Sequence, residues 1–124
     1  MSLIVINTLN VHAFTSGDLT EIRELLHPQK GGPSLPYSLA YGTLKEGKSS
    51  APHRLLRNKE VYYILSGTAR LRADGTVHDL KMGDCFCIPE NALQSIENAG
   101  KEELQFLCIV SPPWRAEDED ISGR

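Results

Sequence analysis

Four histidines and three cysteines hold most of the reactive chemistry open to this chain. Imidazole and thiolate are the side chains that bind transition metals and serve as base or nucleophile near neutral pH. Cys85 and Cys87 stand two apart in an apolar run, so on a strand both thiols share one face and are too constrained to bridge each other easily. A nucleophilic role would need a nearby base that the sequence does not identify, and both are expected to be buried structural thiols. The odd cysteine count argues against a disulfide framework, and no Cys/His cluster has the spacing of a structural zinc site. His12 and His27 fall in turn-rich segments, where an exposed or locally hydrogen-bonded ring is expected. His78 sits at the turn end of a hairpin. His53 is left, with the carboxylate of Glu60 close behind it.

The elements that must position these groups are strands. Ten glycines and seven prolines punctuate short apolar segments along the 124 residues, a spacing that predicts an all-β sandwich or barrel in one domain. Thr68 to Ala73 and Thr76 to Leu80 flank Asp74-Gly75, a two-residue hairpin signal that requires positive φ. That turn sets the register: Leu71 opposes His78, and Arg70 opposes Asp79. Ala69, Leu71 and Leu80 then share a core face, while Arg70 and Asp79 pair on the other. Further strands are expected at Tyr37 to Leu44, Val61 to Leu65, Cys85 to Ile88, Leu93 to Glu97 and Leu104 to Val110. Asp18 to Leu26 fits a helical period through Leu19, Ile22, Leu25 and Leu26, but the all-β surroundings favour a strand. With 13 basic and 16 acidic residues the net charge is −3, and much of the excess acid lies in the tail, so neither nucleic acid nor an anionic membrane is an expected partner. The apolar start Leu3 to Ile6 is too short for a signal-peptide core or a membrane span, which with the unpaired cysteines predicts a cytoplasmic protein.

Two gapped patterns run through the middle of the chain. The first reads Gly47, five residues, His53, then Leu55, then Glu60, six residues, Gly67; the second reads Gly83, five residues, Pro89, then Asn91, Gln94 and Asn98. Together, in this order and with a strand hairpin between them, they resemble the two motifs of the cupin superfamily, G-x5-H-x-H-x(3,4)-E-x6-G and G-x5-P-x-G-x2-H-x3-N. The resemblance spans about Leu39 to Val110. It implies a double-stranded β-helix, the cupin jelly-roll barrel, and a divalent transition metal (Mn, Fe, Ni, Cu or Zn) held in the barrel mouth. Carried over residue by residue, His53 matches the first histidine ligand and Glu60 the carboxylate, whereas Leu55 replaces the second histidine and Gln94 the third. Leucine has no lone pair, and an amide oxygen is a weaker donor to such metals than imidazole. Three readings of His53, Glu60 and Gln94 follow: a weakened metal site completed by water or substrate, a metal-free polar cluster that binds a small ligand, or core polar groups that satisfy one another.

Strand parity extends the site. With Glu60 inward, Tyr62 and Ile64 point inward and Val61 and Tyr63 outward, so Tyr62 is a candidate substrate-binding residue, joined by Tyr41 and Phe106. The expected organisation is 1–36 as N-terminal strands and arm, 37–113 as barrel core, and 114–124 as an acidic tail, in which Arg115 to Arg124 has too few apolar residues to order itself. Similar small cupins are homodimers, and the apolar edge at Leu3 to Ile6 is compatible with that. Two functions fit: acting on or binding a small oxygen-rich metabolite, such as a sugar derivative or carboxylic acid, with a weakly held divalent metal; or serving as a metal-free small-molecule binding or sensor module. The resemblance extends the first to metal-assisted isomerases, dioxygenases, decarboxylases and lyases.

Overall fold

A computed structural model describes residues 3–121. Met1 and Ser2 of the N-terminal arm, and 122–124 of the tail, lie outside the described residues. Two antiparallel sheets face each other, and the described residues form no α-helix. The first sheet has the order β1 (Phe14–Thr15), β2 (Glu21–Leu26), β3 (Ser38–Leu44), β10 (Leu104–Ser111), β5 (Lys59–Ser66), β8 (Cys85–Ile88). The second has the order β11 (Glu119–Ile121), β4 (His53–Leu55), β9 (Gln94–Asn98), β6 (Thr68–Ala73), β7 (Thr76–Lys81). This is the expected jelly-roll barrel.

The hairpin forms in the register its turn dictates. Asp74 and Gly75 both adopt positive φ (46° and 82°), Leu71 pairs with His78, and Arg70 pairs with Asp79 at 3.1 Å. The ambiguous N-terminal stretch resolves as strand β2 from Glu21 onward, because its partner β3 supplies the ladder that a lone helix of that length would lack.

Alternation along β5 and β10 builds the core. Glu60, Tyr62 and Ile64 turn inward from β5, and Leu104, Phe106, Cys108 and Val110 from β10. Tyr62 stacks between Phe86 and Phe106, with ring centroids 4.9 and 5.2 Å away. Phe106 also covers its cross-strand partner Gly42, where any Cβ would overlap the ring. Cutting Phe106 back to alanine is worth about 3–5 kcal/mol on the usual scale for buried aromatics.

The C-terminal segment corrects the sequence expectation, since it is ordered through residue 121. Its few apolar groups are supplemented by ionic and backbone anchoring. β11 pairs with β4, and Asp118, 3% exposed, accepts from both Nε and Nη2 of Arg115 at 3.1 and 2.9 Å and from Arg57 Nε at 3.0 Å. The Arg115 fork, seconded by Arg57, holds the Asp118 carboxyl down to about 2. The second correction concerns Cys85 and Cys87, which are exposed. β8 is an edge strand whose inward parity is taken by Phe86 and Ile88, leaving both thiols on the outer face beside Tyr63 and Val61.

A depressed carboxyl pKa contributes stability above its unfolded value, here 3.8, and loses it as pH falls toward 2. Asp118→Asn is therefore expected to destabilise the protein at pH 7 by roughly 1–3 kcal/mol in urea denaturation. The difference from wild type should shrink as pH falls from about 4 to 2; a pH-independent difference would contradict the clamp.

Candidate functional site

His53 opens β4 and is 1% exposed. Its Nδ1 lies 2.7 Å from the Ala51 carbonyl, an acceptor only, so Nδ1 carries the proton. That leaves Nε2 turned toward Asp18, whose Oδ2 lies 3.3 Å away. Asp18 is itself fixed by a tight turn: Oδ1 accepts the Ser16 hydroxyl and the Thr20 N–H, and Leu19 takes a φ of 75° to close it. The Ala51 N–H donates to the Asp18 carbonyl at 2.6 Å, tying this turn to the strand that carries His53. Glu119 completes the group from β11. Its Oε2 accepts the indole N–H of Trp114 at 3.2 Å, and the donor atoms of Asp18, His53 and Glu119 all lie within 4.8 Å of one another.

Glu60 is satisfied from two directions. Gln94 Nε2, from the opposite sheet, donates to Oε1 at 2.8 Å, and the Cys108 thiol donates to Oε2 at 2.7 Å. Burial raises the Glu60 pKa against the opposing pull of Cys108, His53 and Gln94. The Cys108 thiol is pushed well up, first by burial and then by the Glu60 charge, so it stays protonated at neutral pH and acts as a donor. Gln94 is 2% exposed and pairs in register with His53, yet its Oε1 has no hydrogen-bond partner.

Asp18, Glu60, Cys108 and Glu119, though neither His53 nor Gln94, border an open cavity of about 70 Å³. Asp18, Glu60, Cys108 and Glu119 form its polar wall, and Phe14, Ile22, Val110 and Trp114 an apolar one. Among the described residues Lys30 is its only cationic lining residue; it pairs with Glu24 at 2.8 Å and lies 5.3 Å from the centre of the Trp114 ring. With Lys30 engaged by Glu24, the carboxyl groups of Asp18, Glu60 and Glu119 remain in the lining. Such a wall attracts a cation and repels a bare anion.

The structure thus brings His53, Glu60 and Gln94 to one end of the barrel. Leu55 is buried there and offers no donor. Tyr62 and Phe106 turn inward, but they are consumed by the aromatic core stack and do not line the cavity. Tyr41 lies on the opposite side of β3 from the cavity-lining Ala40, in a surface groove with Arg23 and Glu103. His78 is exposed and bonded to Thr76, His12 is exposed, and His27 is held between the Gln29 N–H and the Trp114 carbonyl. Sequence reasoning missed Asp18 and Glu119 as site residues. Ser16-Gly17-Asp18 carried a turn signal but no sign of a partner, and Glu119 was one acid among several in the tail.

The chain matches the Cupin domain family over residues 40–110 and belongs to that family. It is 33% identical over 67 residues to an oxalate-binding protein of Thermotoga maritima, covering 54% of this chain and 55% of that protein. It is 29% identical over 90 residues to a 5-aminosalicylate 1,2-dioxygenase of Comamonas sp., covering 72% of this chain and 24% of that protein. The matched region therefore spans about half of the first relative and a quarter of the second. Among solved structures, one described as a predicted oxalate decarboxylase of Thermotoga maritima superposes with a TM-score of 0.79 at 23% identity, covering 88% of this chain and 99% of that one. At that identity the superposition shows the shared fold.

Because the folded protein raises the Glu60 pKa, Glu60 weakens stability as pH climbs from 4.5 through the raised value. Glu60→Gln keeps an acceptor for Gln94 and removes the buried charge. Its stability relative to wild type, read by thermal unfolding, is expected to improve as pH rises above 4.5 and to level off once the raised Glu60 pKa is passed. A flat or falling difference would mean that Glu60 ionises in the fold as it does in water.

Proposed function

We propose that this chain binds a compact, oxygen-rich metabolite, a carboxylic acid or sugar derivative, in the barrel cavity together with a divalent transition metal. The observation that carries the reading is the set of oriented polar groups gathered at one end of the barrel: His53, Glu60, Gln94 and Cys108 beside Asp18 and Glu119. Buried polar groups cost stability unless they are paired, and a Gln94 oxygen left without a partner fits a place kept for a ligand. The relatives named for oxalate binding and for a dioxygenation support a small carboxylate as ligand. The acidic wall makes a cation the natural counterpart for such an anion, which favours the metal-assisted reading over a metal-free binding or sensor module.

In this reading a bound metal supplies Lewis acidity and neutralises the wall. The chain's own residues do the rest. The aromatic faces of Trp114 and Phe14 shield the ligand from water, and Glu60 exchanges a proton with a ligand atom set against Oε2 in place of the Cys108 thiol. Pairing with a second copy is supported by the exposed apolar arm Leu3 to Ile6 and by the outer sheet face around Tyr63, Cys85 and Cys87. The three unpaired cysteines fit a reducing compartment such as the cytoplasm.

Saturation-transfer NMR against a panel of small mono- and dicarboxylates and sugars, with and without Mn2+, tests the proposal. At least one compound is expected to bind, and Ala40→Trp, which fills the cavity from its floor, should abolish that binding while leaving the fold intact by circular dichroism. A panel with no binder, or binding indifferent to Ala40→Trp, would overturn it.

A further inference from the structure

The donors found at the barrel mouth are not those of the family pattern. Position 55 carries leucine, Gln94 spends its amide nitrogen on Glu60, and both Glu60 oxygens are already hydrogen-bonded. A metal centred on the motif positions would have His53 as its one strong ligand. The ladder supplies a substitute. Glu119 is the Cα partner of Leu55 in the β11–β4 pair, so its side chain projects from the same face, beside the position where a second imidazole is missing. Asp18 arrives from the N-terminal turn and brings Oδ2 to 3.3 Å from His53 Nε2.

We propose that the chain holds a divalent transition metal on Asp18, His53 and Glu119, a ligand set drawn from outside the two motifs for two of its three donors. This deepens the reading of the cavity as a ligand site and rests on it. Each donor is already oriented by a contact of its own: Ser16 and Thr20 on Asp18 Oδ1, the Ala51 carbonyl on His53 Nδ1, and Trp114 on Glu119 Oε2. Such outer contacts fix a ligand's direction and the tautomer of an imidazole. An independent sign of a ligand is the buried, partnerless Oε1 of Gln94, whose strand position directly faces His53. Two carboxylates with one imidazole form a harder donor set than the family's histidine-rich one, which favours Mn2+ or Fe2+ over copper. One face of the ion is left toward the cavity, where a carboxylate or hydroxyl of the metabolite completes the coordination.

The test uses Mn2+ alone with the full chain. Binding is read by loss of the free-ion electron paramagnetic resonance signal and, independently, by quenching of Trp114, the single tryptophan, whose indole bonds to Glu119. One Mn2+ per chain is expected. Asp18→Asn and Glu119→Gln, which keep shape and hydrogen bonds, should each weaken binding by more than the ~10–100-fold typical of outer-contact changes, while Glu60→Gln should shift it by less than that. If Glu60→Gln abolishes binding and the two other variants leave it intact, the motif positions hold the metal and this assignment is overturned, with the cavity reading untouched. If wild type binds no Mn2+, the assignment is overturned as well, and His53 and Asp18 are an ion pair. Failure of the cavity reading would instead appear as an absence of metabolite binding in the NMR panel.

Discussion

A carboxylate taken out of water must be met by donors, and in this barrel the Glu60 carboxylate is met from both sheets at once. Gln94 reaches it across the interior from β9, and Cys108 reaches it from the neighbouring β10. This cross-barrel hydrogen bond fixes where the apolar core ends and the polar mouth begins. Below it lies the stack of Phe86, Tyr62 and Phe106; above it stand His53, Asp18 and Glu119. Because Gln94 and His53 face each other in register, anchoring one side chain on Glu60 also limits the space into which the other can turn.

The mouth is built from three distant parts of the chain, and each is held by contacts that owe little to apolar burial. The Asp18 turn is closed by its own side chain. The C-terminal strand is clamped through Asp118 to Arg115 and Arg57 and hydrogen-bonded to Leu56. Trp114 connects these regions, since its carbonyl meets His27, its indole meets Glu119 and its ring packs beside Lys30. A site assembled this way depends on the docking of both terminal segments, and the same docking gives the cavity its charge.

Where period and turn chemistry decided structure, the sequence was readable. Asp74-Gly75 set the β6–β7 register, two-residue alternation placed Glu60, Tyr62 and Ile64 inward, and the paired motifs identified the family and the approach of His53, Glu60 and Gln94. Properties that depend on what lies alongside a strand were not readable. Cys85 and Cys87 are exposed because β8 is an edge, and Tyr41 faces away because β3 turns Ala40 to the interior; neither fact is encoded within its own segment. The order of the tail follows from ion pairs between residues far apart in sequence. Asp18 and Glu119 lie outside the matched family region, so no motif could have joined them to His53.

The most direct measurement is a crystal structure of the chain grown with Mn2+, with anomalous diffraction collected at the manganese edge. The account predicts a single strong peak at the barrel mouth, coordinated by His53 Nε2 and the carboxylates of Asp18 and Glu119, with its open side toward the cavity. A peak seated between Glu60 and Gln94, or a mouth in which His53 simply pairs with Asp18 and no metal is present, would contradict it.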